Sequence, residues 1–252
     1  MKTKKSIVSK RREDILAYIK TKDSVTTGEL IENFNMSEIT IRRDLNYLQA
    51  EGRIERFYGG AKFVNPESIG KNEFLENKKI AIAKKCAEYI KDNDDIFINS
   101  SSTALLVLKY LKDKRVNVIT NNAKALFMDI DHMVNIILTG GRISYPKNAL
   151  TGTFALNNLK TVASDISIIG ISGISKDGDL TTSVLDEVEI NQYMLNESTC
   201  KNILVCDSSK FSKSANFKIG SIANIDLIIT DRDLARETLE YIEKYKVKVV
   251  LV

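Results

Sequence analysis

Over the first 64 residues, apolar positions recur at helical spacing, broken by short polar turns. Ile15, Leu16 and Ile19 set an inward face over residues 9–22. Leu30, Ile31 and Phe34 give a second, shorter helix its apolar side, and Thr26 and Glu29 at its start have the spacing of a capping box. Ile41, Leu45 and Leu48 fall at i, i+4 and i+7 and line one stripe of a third helix. Ser37 is placed to cap that helix, and Gly52 to close it with a left-handed residue. Only Asn35 and Met36 separate the second helix from the Ser37 cap, so the pattern predicts a helix-turn-helix over about residues 25–44. Two β-forming runs then flank Gly59-Gly60 within residues 53–64, which reads as a hairpin.

The pattern changes after residue 64. Residues 65–71 contain Pro66 and Gly70 and read as a linker. A longer helix is expected over 72–91. From there to the C-terminus, wholly apolar runs alternate with helical ones. Strands are expected at 95–99, 116–120, 135–139, 165–171, 202–206, 226–230 and 248–252, and helices at 103–111, 123–129, 154–162, 186–200 and 234–245. Apolar strands alternating with helices imply a mostly parallel sheet covered on both faces. The expected organisation is α/β: a small N-terminal winged helix-turn-helix over 1–64, the linker, and a larger α/β domain over 72–252.

Charge sharpens this division. The chain has a net charge of +4; residues 1–62 hold 13 Lys and Arg against 9 Asp and Glu, leaving 24 of each in the remainder. All the excess positive charge therefore lies in the first domain, as nucleic-acid binding requires. On the third helix, Arg43, Asn46 and Tyr47 point away from the apolar stripe, and Thr40 and Arg42 flank it. Arg suits guanine edges, Asn suits adenine, and hydroxyls suit bases or phosphates; taken alone, the same face also fits an ordinary solvated helix. The helix-turn-helix before it and the basic hairpin after it favour DNA. The candidate contacts are Thr26, Thr27, Ser37, Glu38, Thr40, Arg42, Arg43, Asn46 and Tyr47, with Arg56, Tyr58 and Lys62 on the wing. Lys2, Lys4, Lys5, Lys10, Arg11 and Arg12 precede any acid and form either an arm along phosphates or a solvated terminus.

The run Thr40-Ile41-Arg42-Arg43-Asp44-Leu45, followed by Gly52-Arg53-Ile54 and Gly59-Gly60-Ala61, resembles the DNA-binding domain of the DeoR family of bacterial repressors. That family usually has His where Tyr58 stands.

In the larger domain, polar or glycine-rich turns follow the expected strands, where ligands bind in open α/β sheets. They are Asn99-Ser100-Ser101-Ser102-Thr103, Thr120-Asn121-Asn122, Gly140-Gly141-Arg142, Gly170-Ile171-Ser172-Gly173 and Asp207-Ser208-Ser209-Lys210-Phe211. Hydroxyls, backbone N–H groups, a Lys and an Arg on one sheet edge suit a small phosphorylated ligand. The candidate ligand-binding residues are Asn99, Ser100, Ser102, Thr103, Asn121, Gly140, Gly141, Arg142, Gly173, Asp207 and Lys210. These turns, with Gly152, the 170–182 segment and Ile229-Thr230-Asp231, again resemble the DeoR family, in its C-terminal sensor domain. The resemblance implies a domain similar to ribose-5-phosphate isomerase that binds a phosphorylated sugar and holds the protein as a homo-oligomer. It departs at Asn99 and Ser101, where the family commonly has Asp and Gly.

The expected function is a cytoplasmic transcriptional repressor that binds double-stranded operator DNA and is relieved by a phosphorylated sugar, with no cofactor, metal or catalytic residue. One alternative is a sugar-phosphate isomerase fused to a DNA-binding domain, for which Asp207 is the carboxylate to nominate as base. Another is a thiol or metal sensor. Against it, Cys86, Cys200 and Cys206 lack metal-ligand spacing and His132 is the sole histidine. No apolar run approaches bilayer-spanning length.

Overall fold

The computed structural model describes residues 4–22, 24–57, 59–64, 66–145, 147–196 and 201–252. Tyr58 and Cys200 lie outside them. The chain divides into two compact units, Met1–Phe74 and Leu75–Val252.

The first unit contains α1 (Lys4–Lys22), β1 (Ser24–Thr26), α2 (Thr27–Phe34), α3 (Glu38–Ala50), β2 (Ile54–Phe57) and β3 (Gly60–Phe63). Ile15, Ile19, Leu30, Ile41, Leu45 and Leu48 are fully buried together as its core. The caps form as the spacing requires. Thr26 accepts the Glu29 N–H while the Glu29 carboxylate accepts the Thr26 N–H at 2.7 Å. Gly52 has φ +70°, and α3 ends with Gly52 N–H on the Gln49 carbonyl and Arg53 N–H on the Leu48 carbonyl. β1, which the sequence pattern does not announce, joins the hairpin in the order β1-β3-β2.

One element of this unit corrects an expectation. Arg11 and Arg12 are not a free arm: they lie on α1 and donate to opposite oxygens of Asp44 at 2.6 and 2.9 Å. Asp44 is fully buried on α3. Burying a carboxylate requires such partners, so these two arginines bind α1 to α3.

The expected linker is also corrected. Residues 66–71 belong to α4 (Pro66–Ala87), whose first residue is Pro66. Proline is tolerated there because the first helical N–H has no intrahelical acceptor.

The second unit is built on β4 (Asp95–Ile98), β5 (Val116–Thr120), β6 (Val134–Leu138), β9 (Ile166–Ile169), β12 (Lys201–Val205), β14 (Leu227–Thr230) and β15 (Lys248–Leu251). They form one seven-stranded sheet in the order β15-β14-β12-β9-β4-β5-β6, with every neighbouring pair parallel. β9 and β14 are buried at every position, whereas the edge strands β6 and β15 alternate or stay half-exposed. One face packs on α4 and α5 (Ser102–Leu106), through residues such as Ile82, Cys86, Ala104 and Leu108. The other packs on α6 (Thr153–Leu159) and α7 (Val188–Asn196), through Leu159, Ile190 and Met194. α8 (Arg236–Glu243) precedes the last strand.

The seven strands lie where the pattern places them. Two smaller sheets do not follow from it: the hairpin β7 (Arg142–Ser144) with β8 (Ala149–Thr151), and the antiparallel set β10 (Gly173–Ile174), β11 (Asp179–Thr182) and β13 (Phe217–Ser221). The helix expected over 103–111 is shorter, continuing as 3-10 turns over Val107–Tyr110. No helix among the described residues is long and apolar enough to cross a membrane.

Candidate functional site

In the first unit, the front of α3 carries exposed Arg42, Arg43, Asn46 and Tyr47. Arg42 is paired to Glu38 one turn earlier, at 2.7 Å. Arg43 has no hydrogen-bond or ion partner among the described residues, so its guanidinium is available. Ile39, one turn before Arg43, is 81% exposed; sequence patterning passed over this apolar side chain on the polar face. Tyr47 carries the Arg12 guanidinium over its ring at 3.7 Å, and a hydrogen bond to Glu51 raises its hydroxyl above the ordinary pKa.

Other candidates have local roles. Thr26 and Ser37 are N-caps, and the Ser37 hydroxyl also meets that of Thr40 at 2.9 Å. Thr27 is buried beneath α2, because it opens the helix on its inner side, and so does not present itself to DNA. Arg56 is half-buried rather than extended from the wing; it donates to the Asn46 side chain, linking β2 to α3. Lys62 is exposed on β3.

In the second unit, the order of strands fixes where a ligand can sit. From β4 the chain adds β5 and β6 on one side, then returns to place β9, β12, β14 and β15 on the other. The connections at the carboxyl ends of β4 and β9 therefore diverge and leave a crevice. A cavity of about 500 Å³ opens there. It is lined by residues 99–103 after β4, Asn122 after β5, 170–172 after β9, and Asp207 and Lys210 after β12. Leu75 and Lys79 of α4, Lys124, Lys147, Thr182, Ser183 and Glu187 complete the wall.

Asn99 is the structural hinge of this site. Its amide donates to the Gly170 carbonyl at 2.8 Å and accepts the Gly170 N–H at 3.0 Å. That two-way pairing fixes the amide's orientation and clips β4 to β9 at the switch point. The second amide hydrogen goes to Asn191 of α7, and the Ser101 N–H returns to the amide oxygen. A carboxylate here would have no hydrogen for the Gly170 carbonyl. Asn99 thus lines the cavity but spends its hydrogen bonds on the fold. Gly170 is forced by its neighbour: a Cβ would lie 1.9 Å from the Ser101 hydroxyl.

Ser100 is likewise committed. Its hydroxyl donates at 2.9 Å to Glu187, a carboxylate only 1% exposed that also accepts from Thr182 at 2.9 Å and from Lys147 at 2.8 Å. Glu187, Thr182 and Lys147 were not among the candidates, because nothing in their sequence spacing brings residues 100, 147, 182 and 187 together. Ser102 and Thr103 have no hydrogen-bonded side chain among the described residues and border the cavity. Asp207 caps its own turn by accepting the Ser209 N–H at 3.1 Å. Lys210 is half-buried with no ion partner among the described residues.

The remaining candidates lie off the cavity. Gly140 and Gly141 turn the chain from β6 into β7 at φ +69° and +103°. Arg142 projects from β7 and pairs with Asp186 at 2.9 Å. Asn121 is buried and donates to the Leu150 carbonyl. Gly173 runs in β10 against the Lys213 carbonyl, which a Cβ would approach to 2.5 Å. Asn121 and the three glycines are packing and turn positions, and Arg142 is an exposed ion-pair partner.

Lys79, Lys124, Lys147 and Lys210 against Glu187 and Asp207 give the lining four cations and two carboxylates; Lys79 is itself paired with Glu76 at 2.6 Å, which leaves an excess of one positive charge. Such a cavity attracts a small anion. Beside it, Lys78 of α4 bridges Asp231 and Asp233, each at 2.7 Å, and Asp231 also accepts from the backbone and hydroxyl of Ser208. Burial alone would raise the Asp231 carboxyl; the donors from Lys78, Ser208 and Asp233 outweigh it and hold it below the ordinary range. Cys86 and Cys206 are buried free thiols; burial pushes Cys86 up to about 12 and Cys206 higher still, so neither is a ready nucleophile. Among the described residues, no cluster of His, Cys, Asp and Glu could hold a metal ion.

Comparison with known proteins matches both units to described families. Residues 11–67 match the DeoR-like helix-turn-helix domain, and residues 75–232 the DeoR C terminal sensor domain. The lactose phosphotransferase system repressor of Lactococcus lactis subsp. lactis is 32% identical, covering 94% of this chain and 96% of that protein. The glycerol-3-phosphate regulon repressor of Escherichia coli (strain K12) is 33% identical, covering 88% of this chain and 90% of that protein. Among solved structures, ribose 5-phosphate isomerase A from Methanocaldococcus jannaschii aligns over 56% of this chain and 55% of its own, at 17% identity and a TM-score of 0.39.

Proposed function

The chain belongs to the DeoR family of transcriptional regulators, and from that premise we propose that it is a cytoplasmic repressor of a sugar-metabolism operon, released from its operator by a phosphorylated sugar. α3 enters the major groove of the operator. Arg43 reads a base edge or holds a phosphate, and exposed Ile39 supplies an apolar contact of the kind that suits a thymine methyl. The relatives are named as repressors of lactose and glycerol-3-phosphate systems, which supports both the repressor role and the chemistry of the effector.

The observation that carries the sensing half is the cavity at the β4–β9 switch point with its excess of lysines. The phosphate sits against Lys210 and the hydroxyls of Ser102 and Thr103. Lysine serves there as a compact cation that needs no bidentate geometry. Asp207 and Glu187 face the polyol end. α4 contributes Leu75 and Lys79 to the wall, and Lys78 ties the same helix to the loop that holds Lys210 through Asp231 and Ser208. An occupant that draws in Lys210 or Lys79 therefore shifts α4, the helix that carries the chain toward the DNA-binding unit. A ligand changes operator affinity only through its different affinity for the two arrangements.

The isomerase reading is weaker. Its relatives are named as repressors, and Glu187 is engaged by three donors rather than directed at a substrate carbon. The test is a thermal-shift screen of pentose and hexose phosphates on the full chain, followed by turnover assays on any that bind. A ligand raises the melting temperature by mass action. A stabilising sugar phosphate that is not converted supports the regulator; one that is isomerised favours the enzyme.

A further inference from the structure

The hairpin β7–β8 stands apart from the large sheet as a two-stranded ribbon. The ribbon is covered on one side only: its strand β8 is buried within the chain, while β7 keeps exposed positions. It is surrounded by uncovered apolar side chains. Ile143 and Tyr145 lie on or just after β7, and Phe154, 79% exposed, follows β8 at the start of α6. Leu126 and Phe127, the latter 89% exposed, belong to the turn that a bridge between Asn122 and Ala149 fastens to β8. Leu185 precedes Asp186, which Arg142 and Ser144 of β7 hold at 2.9 and 3.2 Å. Monomeric proteins rarely leave this much contiguous apolar surface in water.

We infer that this hairpin and the six apolar side chains around it form the surface by which two copies of the chain pair. By typical side-chain areas they expose on the order of 700 Å² of apolar surface, close to the roughly 800 Å² that each partner contributes to a stable interface. A second copy is the occupant that fits. The inference rests on the operator-binding reading in one respect: a single recognition helix covers one half-site, and two-fold operators call for two-fold proteins. The same hairpin also serves the effector cavity. Lys147, in the turn between β7 and β8, reaches Glu187 in the cavity wall, while Arg142 and Ser144 on β7 hold the adjacent Asp186. Subunit pairing and effector occupancy therefore act on one structural piece.

The test is sedimentation velocity of the full chain at micromolar concentration, for wild type and for Phe127→Asp and Phe154→Asp. Both positions are exposed, so the substitutions spare the fold, as unchanged circular dichroism will show. Wild type is expected as a dimer or higher even-numbered assembly. Each variant should lose at least about thirtyfold in self-association, the scale of an aromatic anchor at an interface. Leu251→Asp, on the opposite edge strand β15, should keep the wild-type mass. A monomeric wild type, variants that keep its mass, or dissociation by Leu251→Asp as well would each overturn the proposal. Amide exchange of wild type on dilution gives a check free of mutation: protection across β7, the exposed strand of the hairpin, should fall as the chains separate, and concentration-independent exchange there would contradict it. Failure of wild type to bind DNA would sink the operator reading without touching these masses.

Discussion

In each unit an almost completely buried carboxylate, Asp44 in the first and Glu187 in the second, is neutralised by cationic side chains from distant sequence, yet the two arrangements serve different ends. In the DNA-binding unit, Asp44 is held by Arg11 and Arg12, and all three side chains are spent on joining α1 to α3. In the larger unit, Glu187 is held by Lys147, Ser100 and Thr182, and its wall opens onto a cavity that retains further, uncommitted charge. The first arrangement makes a rigid platform for an exposed reading face. The second makes a polar wall whose partners a ligand can rearrange. A buried ion pair by itself marks neither a site nor its absence; what decides is whether cations are left over once the pair is made.

The largest expected effect separates the two carboxylates directly. Asp44→Ala should destabilise the DNA-binding unit by about 3 kcal/mol, because it strands two partly buried guanidinium groups; Glu187→Ala should mainly alter effector binding. Chemical denaturation of the full chain, monitored separately in each unit, checks this. Equal losses of stability from both would erase the distinction. Next comes the switch point. Gly170→Ala should cost about 2 kcal/mol through overpacking against Ser101, and Ser101→Gly in the same chain should recover most of it. Asn99→Asp should cost a similar amount, about 2 kcal/mol, by facing an acceptor with the Gly170 carbonyl. Lack of rescue by Ser101→Gly would mean that the Gly170 contact is not the source of strain.

On the reading face, Arg43→Ala should weaken operator binding by roughly 1–3 kcal/mol without changing stability. Fluorescence anisotropy with the operator at physiological salt measures it, and unchanged affinity would remove α3 from the interface. The smallest effect is with pH. The Asp231 carboxyl is depressed in the folded chain, so its contribution is fully present above the ordinary carboxylate range near about 4 and is lost as pH falls through its lower folded value. Asp231→Asn should flatten the acid side of the melting-temperature profile below about pH 4, leaving it parallel to wild type from neutrality to mild alkali.

Much of the fold could be read from the chain because its elements are local statements. The capping box at Thr26 and Glu29, the Ile41–Leu45–Leu48 stripe, the Gly52 terminus and the seven apolar strands each depend on residues within a turn or two. The parts that escaped depend on distance. β1, β7 and β8 are three residues each, too short to show a period. The Pro66 and Gly70 stretch reads as a break, yet proline at a first helical position is neutral. Of the effector candidates, those on the β4 and β12 turns line the cavity, while Asn121, Gly140, Gly141, Arg142 and Gly173 do not. The turn after β6 moves away from the switch point, and on the turn after β5 Asn122 and Lys124 reach the cavity while Asn121 turns to the Leu150 carbonyl; the order of strands, which sequence spacing does not encode, decides which turns converge. Glu187 and Lys147 went unseen for the same reason.

The central claim is that the lysine-rich cavity senses a phosphorylated sugar and that its occupancy loosens operator binding. Operator titrations of wild type and Lys210→Ala, each with and without a panel of pentose and hexose phosphates, test it most directly. The account predicts that one of the panel weakens wild-type binding by roughly 5–150-fold, and that Lys210→Ala binds the operator normally but no longer responds. A Lys210→Ala protein that responds at the wild-type effector concentration, or a wild type indifferent to every sugar phosphate offered, would contradict it.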